Sequence, residues 1–369
     1  MGGRSNGMKG LKIFYTQNKL TLVYIVLWPL LFLLSCVFAL LLFTRAFFYR
    51  IGIFNAYRPG PKVISIGNIT LGGTGKTPFA AYLAKRLRSE GHRVAILLRG
   101  YKRPKQNDSM GSYEYHAMGD EASMLKAACG EGIDVFAGSD RVLRALQLEK
   151  EKAVDTVILD DGFQYFRLKR DLDIVTIDAS SPFGNKFILP LGLLREPLSS
   201  LKRADCFCLT RCDEASEYMI GELRSFLNRL NPAALVLKAF YCPASLYDLK
   251  KNKKESVNIL KGKDVCLLAG IANPFSFLKT VRDLGAGICL KVFFDDHHHY
   301  SPAEVRDVAF QCRNAKIKTV LTTEKDAVRL SGFVLEQDLG VDFFVLKVAL
   351  KIVEGEEALS GRLHTLYHT

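Results

Sequence analysis

No charged side chain occurs between Leu20 and Thr44, and no small-x-small cleavage site follows that run. The 369 residues show no zinc-finger spacing, no RNA-binding aromatic signature, no internal repeat and no low-complexity block. A cleavable signal peptide therefore fits poorly, because the apolar run is too long and nothing ends it for a peptidase. The net charge of +13 calls for an anionic partner. Lacking base-reading motifs, the chain is expected to bind no nucleic acid, which leaves a nucleotide or a phospholipid surface. Its nine cysteines have no framework spacing, and the one close group, Cys206, Cys208 and Cys212, lacks a fourth metal ligand. They read as reduced thiols acting as small hydrophobes.

The uncharged run itself, if helical, reaches about 37 Å against a hydrocarbon core of about 30 Å. Lys9, Lys12 and Lys19 flank one end and Arg45, Arg50 and Arg58 the other, so charge barely decides its orientation. A buried core helix, or a shallow insertion kinked at Pro29, are the alternatives. So uniformly apolar a surface favours a membrane anchor within residues 1–60. Arg58-Pro59-Gly60-Pro61 ends that region.

Residues 64–78 read as a buried strand, a glycine-rich turn and the first turn of a helix. Gly72-Gly73-Thr74-Gly75-Lys76-Thr77-Pro78 has the chemistry a nucleotide's phosphates need. Glycines let backbone N–H groups converge, Lys76 brings a cation, Thr77 offers a hydroxyl to Mg²⁺, and the helix start adds positive potential. The strict phosphate-loop pattern wants glycine at position 70, where Thr70 stands. Strands over 94–98, 154–159, 172–177 and 206–210 continue a parallel sheet. Asp160-Asp161-Gly162 ends one of them, and carboxylates at a buried strand tip point to cation chemistry. Arg195-Glu196, in a two-proline loop, reads as a fixed cation near the phosphates or as a surface ion pair. Asp120 reads by itself as an N-cap with Glu121 behind it. Residues 239–262, with the Lys250–Lys254 basic run, read as a linker. A second α/β unit follows, with Ser301-Pro302-Ala303-Glu304 as a capping box. His297, His298 and His299 read as a polar loop or as proton-transfer groups rather than a metal site.

Together these motifs closely resemble the tetraacyldisaccharide 4'-kinase family of lipid A biosynthesis. The likeness is carried by Gly67-Asn68, Gly72-Gly73-Thr74-Gly75-Lys76-Thr77-Pro78, Arg99-Gly100-Tyr101, Gly119-Asp120-Glu121 and Asp160-Asp161-Gly162-Phe163-Gln164. Leu194-Arg195-Glu196-Pro197, Gly270-Ile271-Ala272, Phe294-x-Asp296-His297-His298-x-Tyr300 and Thr322-Thr323-Glu324-Lys325-Asp326 extend it. A departure is Tyr165, where the family usually has histidine.

The fold class this implies is α/β: a P-loop parallel-sheet nucleotide-binding domain plus a smaller α/β C-terminal domain, with an N-terminal membrane helix. The expected blocks are 1–60 anchor, 61–238 kinase domain, 239–262 linker and 263–369 C-terminal domain. The resemblance implies transfer of the γ-phosphate of ATP to the 4'-hydroxyl of tetraacyldisaccharide 1-phosphate, with Mg²⁺. Asp120 and His297 map onto an Asp–His pair at the acceptor hydroxyl, expected on different domains. Lys76 and Arg195 complete the catalytic set, and Thr77, Asp160, Asp161 and Glu196 are the candidate metal ligands. A glycolipid substrate held in a bilayer implies a membrane-surface enzyme at the inner membrane, with its catalytic domains on the cytoplasmic side. The rival readings are a membrane-tethered nucleotide switch acting on a protein partner and a non-catalytic anchored scaffold.

Overall fold

Strand Lys62–Gly67 is buried along nearly its whole length, as are Val94–Leu98, Thr156–Asp160, Leu172–Asp178 and Cys206–Thr210. Continuous apolar runs of this kind suit strands of a parallel sheet covered on both faces. The structure is a computed structural model that describes residues 22–100 and 120–368, apart from 252, 272, 297 and 337. The side chains of 22–26, 120, 121, 331, 333, 335 and 336 are likewise outside the description.

In chain order the elements begin with α1 (Leu22–Arg50), β1 (Lys62–Gly67), α2 (Lys76–Ser89), β2 (Val94–Leu98), α3 (Asp120–Cys129) and β3 (Asp134–Ala137). Next come α4 (Arg141–Lys150), β4 (Thr156–Asp160), β5 (Leu172–Asp178), β6 (Cys206–Thr210) and α5 (Glu217–Leu230). They continue with β7 (Leu235–Asp248), β8 (Lys253–Glu255), β9 (Asp264–Ala269), α6 (Pro274–Asp283), β10 (Gly287–Phe293) and α7 (Pro302–Asn314). The last are β11 (Thr319–Thr323), α8 (Glu324–Glu336), β12 (Asp342–Glu354) and α9 (Glu356–His368).

The chain divides into two compact units, one of residues 1–101, 129–240 and 351–369, the other of 102–128 and 241–350. In the first unit the strand order is β3-β2-β4-β1-β5-β6-β7, every neighbouring pair parallel. Val63, Ala95, Leu97, Val157 and Leu159 pack with Ala145 and Leu148 of α4. Val175, Ile177, Phe207 and Leu209 pack with Ile220, Leu223 and Leu227 of α5. The order reverses direction around β1, and such a switch point places a crevice at the strands' carboxyl ends.

In the second unit β10-β9-β11-β12 are parallel in succession, and β8 lies antiparallel to β7. Val305, Val308 and Cys312 of α7 and Leu330 and Val334 of α8 join one core, while Phe277, Leu278 and Val281 of α6 join another. The Ser301 capping box forms as its sequence predicts.

Two expectations differ from what is seen. The grouping is interleaved in sequence rather than consecutive: most of α3 falls with the second unit and residues 351–369 with the first. Residues 239–262, expected as a linker, hold the rest of β7, all of β8 and a short 3₁₀ turn, with Leu246 and Leu260 fully buried. The polar lysine run that read as a linker is only the hairpin turn between β7 and β8 and the start of β8.

Candidate active site

The first unit builds a polar site where β1, β4 and the loop before Glu196 meet. Gly67 ends β1 against Phe163, so close that a Cβ there would sit 2.4 Å from the phenylalanine's own. Gly75 turns the chain into α2 with φ of 85°, a left-handed value that glycine adopts without strain. Thr74 is braced from two strands: its hydroxyl bonds that of Thr176 at 2.7 Å, and its carbonyl accepts from the Thr210 hydroxyl at 2.9 Å. Lys76 and Thr77 then open α2 at the crevice. Thr70 needs no glycine, because it forms an isolated antiparallel bridge with Leu194. Leu71 N–H donates to Leu193 O, and Arg195 N–H donates to Ile69 O, each at 2.7 Å.

The Thr77 hydroxyl donates to Asp160 Oδ2 at 3.0 Å. The next residue, Asp161, has a positive φ of 55°, an uncommon conformation for a side chain of this type and one that recurs at functional sites. Arg195 grips the Asp161 carboxylate with both Nη atoms, and Lys76 Nζ lies 3.5 Å from Oδ1. Burial pushes the Asp161 carboxyl up; the Arg195 hydrogen bonds and the charges of Lys76, Arg195 and Arg141 outweigh it and hold it at about 2. Asp161 is therefore ionised at any working pH, between the cations of Lys76 and Arg195.

Around this pair stand Asn68 and Gln164, which the sequence marked as motif residues without a role, and Arg141, which it did not mark. Asn68 accepts from Arg195 Nη1 at 3.1 Å and donates to Thr70 O at 2.8 Å. Gln164 Nε2 donates to Asn68 O at 2.8 Å, and buried Arg141 reaches Asp161 O at 3.3 Å. Asn68, directly after a strand's terminal glycine, was a legible signal. Arg141, the first residue of an amphipathic helix, was not.

The family model for tetraacyldisaccharide-1-P 4'-kinase, LpxK, matches residues 27–367. The chain belongs to this family. Similar relatives include the tetraacyldisaccharide 4'-kinase of Halothermothrix orenii, 35% identical over an aligned length of 342, which covers 88% of each chain. That of Geobacter metallireducens is 36% identical over 87% of this chain and 94% of its own. Among solved structures, LpxK from Aquifex aeolicus in complex with ATP matches with a TM-score of 0.72 and 26% identity, over 94% of this chain and all of the other.

As a member of the tetraacyldisaccharide 4'-kinase family the chain is an ATP-dependent kinase of lipid A biosynthesis. Membership does not favour the nucleotide-switch alternative. The motif residues shared with the family are gathered unevenly. Lys76, Thr77, Asp160, Asp161 and Arg195 converge, whereas Glu196 turns away and accepts from Arg203 Nη2 at 2.9 Å. Adjacent residues in an extended loop face opposite sides, so the Arg195–Glu196 dipeptide serves two separate ion pairs. Among the described residues no three His, Cys, Asp or Glu side chains group to hold a metal. Thr77 and Asp160, two hard oxygen donors in contact, nevertheless suit the one or two protein ligands that Mg²⁺ ordinarily takes.

Asp120 opens α3 rather than preceding it, and its side chain is outside the description, as are His297 and Tyr101. α3 through Ala128 and the loop holding residue 297 both fall in the second unit, where different domains were expected. His298 is occupied by Glu304, at 3.1 Å, and stacks on Phe294. Tyr165, at the family's histidine position, lies beneath the Arg141 guanidinium, 4.9 Å from carbon to ring centre. Helix α1 carries the one candidate span among the described residues, Leu27–Arg50, of mean hydropathy 2.4. Leu30, Leu33, Leu40, Leu41 and Phe43 are exposed on it, which fits membrane association.

Proposed function

We propose that the first unit binds MgATP at the loop 72–78 and that Lys76, Thr77, Asp160, Asp161 and Arg195 carry the transfer of its γ-phosphate to the 4'-hydroxyl of tetraacyldisaccharide 1-phosphate. The observation that supports this most directly is the convergence of Lys76 and Arg195 on Asp161 beside the Thr77–Asp160 pair. Phosphoryl transfer is mainly positioning and charge neutralisation. Loop amides and Lys76 hold the outer phosphates. Thr77 and Asp160 would hold Mg²⁺, which supplies charge neutralisation at the phosphate oxygens. Asp161 keeps Lys76 and Arg195 oriented until a phosphate competes for them, and Arg195 then meets the charge that spreads over the transferring group. Asp120 and His297 share the acceptor's proton in this reading, and Glu196 contributes by fixing Arg203 and the loop's direction.

The membrane surface is the second partner. A multiply acylated acceptor stays in the bilayer, since each buried CH₂ is worth about 0.8 kcal/mol. The apolar face of α1 brings the enzyme to it, at the inner membrane on the cytoplasmic side where ATP is found. Incubating the purified protein with γ-labelled ATP, Mg²⁺ and the disaccharide acceptor tests the reading. Label at the 4'-position is expected; hydrolysis of ATP indifferent to the acceptor would support the switch instead.

A further inference from the structure

Among the described residues, helix α1 makes few polar contacts with the rest of the first unit, and each falls on a segment that carries one half of the Asp161–Arg195 pair. Ser35 is buried in the middle of a helix whose neighbours are exposed and apolar. A hydroxyl in such a helix ordinarily bonds back to the carbonyl four residues earlier, as Thr44 does with Leu40 at 2.9 Å. Ser35 instead reaches across to another segment. It donates to Ile188 O at 2.7 Å and accepts from the buried Leu191 N–H at 3.0 Å. Trp28 adds an edge-on contact with Phe187.

That segment, 187–194, is closed on itself. Leu194 N–H donates to Phe187 O, Leu189 N–H to Leu194 O, and Gly192 N–H to Ile188 O. Gly192 passes so near Phe187 O that a Cβ would lie 2.1 Å from it. It leads directly into Arg195: Leu193 O accepts from Leu71 N–H and Arg195 N–H donates to Ile69 O, just ahead of the phosphate loop. One turn from its end, α1 meets the other half. Arg45 Nη2 donates to Gln164 O at 3.2 Å, and Tyr49 stacks on Phe166, directly after Asp161-Gly162-Phe163. Gln164 in turn donates to the carbonyl of Asn68, whose side chain accepts from Arg195.

We propose that Ser35 is a positioning residue, through which the membrane-seeking helix fixes the Arg195 loop, with Arg45 doing the same for the Asp161 loop. The helix is then a strut across the catalytic ion pair as well as an anchor, and seating it in a bilayer steadies that pair. Removing the Ser35 hydroxyl leaves the Leu191 N–H buried without its acceptor and frees the loop at one end. A displacement of about 1 Å at a charge-neutralising group costs up to about a hundredfold in rate.

This rests on the kinase reading, and the test separates the two. Full-length wild type, Ser35→Ala, Ser35→Thr and Arg45→Met are assayed for transfer to the acceptor, for sedimentation with phosphatidylglycerol vesicles and for amide exchange. Ser35→Ala is expected to lower kcat about tenfold with KM for ATP within about twofold, to sediment normally, and to exchange the Leu191 amide at least about tenfold faster. Ser35→Thr, which keeps the hydroxyl, restores kcat, and Arg45→Met lowers kcat about threefold or more without releasing the protein from vesicles. Wild type should exchange Leu191 and Leu194 severalfold more slowly once vesicles are added, a measurement that needs no variant to fold.

An unchanged kcat in Ser35→Ala, loss of activity only in step with loss of sedimentation, or vesicle-independent exchange would each overturn the proposal. Wild type that transfers nothing to the acceptor would overturn the kinase reading and this inference together.

Discussion

Arg195 holds Asp161 in a two-pronged grip, Nη1 on Oδ1 at 2.6 Å and Nη2 on Oδ2 at 2.9 Å, with Lys76 on the same carboxylate. A guanidinium held by both oxygens is fixed in plane and direction, which an ammonium at the same place is not. Arg195→Lys keeps the charge and loses the fork. Its kcat is expected to fall about 10- to 100-fold while the thermal midpoint moves by a few degrees at most. Steady-state rates with saturating acceptor check this, and a kcat within about twofold of wild type would show that charge alone is needed there.

The depressed pKa of Asp161 has a consequence for stability whose sign can be measured. Its folded value of about 2 lies below the ordinary 3.8, so the folded state gains stability from the ionised form. That gain is complete above the unfolded value, shrinks as pH falls below about 4, and is gone once pH passes through the folded value. Its size is roughly 2 kcal/mol, at about 1.4 kcal/mol per unit of displacement. Urea unfolding at pH 6, 4, 3 and 2 should show wild type losing its advantage over Asp161→Asn step by step across that window. An advantage still intact at pH 2 would mean the pair is not what stabilises this site.

Much of this unit was legible in the sequence, and the gaps have physical causes. Strand 94–98 and strand 206–210 are found at the expected bounds, because a buried parallel strand must be apolar throughout. The phosphate loop was readable because few arrangements of glycine, lysine and threonine after a strand serve another purpose. Thr70 looked like a defect, yet its bridge to Leu194 depends on a partner more than a hundred residues away that no local pattern reports. The same holds for Glu196, whose neighbour in sequence suggested one ion pair and whose neighbour in space, Arg203, makes another. β7 was missed along its whole length, its residues beyond Ala239 being taken for linker, because they alternate only loosely between covered and open positions. β12 and α9 at the chain's end carried no motif to draw attention to them.

The contact between Thr77 and Asp160 predicts where metal dependence resides. Asp160→Asn keeps the shape and removes the charge that a hard divalent cation requires. The Mg²⁺ concentration for half-maximal transfer should rise about tenfold or more, with binding of metal-free ATP little altered. Wild type treated with EDTA should lose transfer and regain it on adding Mg²⁺. A titration curve identical to wild type would move the metal's place to Asp161.

Asp120 and His297, assigned by likeness to the family, make a separate prediction. If they share the acceptor's proton, Asp120→Ala and His297→Ala each lower kcat by about a hundredfold or more and leave the affinity for ATP nearly unchanged. The double variant should be little worse than either one, because members of a proton-sharing pair act as a unit. Near-normal turnover in either single variant would remove that residue from the chemistry.

In the second unit, Asp326 is wholly buried and its carboxylate gathers three donors. Oδ2 accepts from Gly270 N–H at 3.1 Å and from the Thr323 hydroxyl at 2.7 Å, while Oδ1 accepts from the Tyr300 hydroxyl at 3.0 Å. Burial together with this anion pushes the Tyr300 hydroxyl's pKa well above its ordinary range, so it stays a donor at any working pH. One side chain thus ties the end of β9, the start of α8 and the loop that leads into α7. Asp326→Ala leaves those donors, and the nearby Arg329, without their shared acceptor. A loss of about 3–5 kcal/mol follows for the unit that contains it. Amide exchange resolved by segment should show protection falling over residues 264–330 and holding over 62–98. Uniform loss across both segments would mean that the two units unfold together.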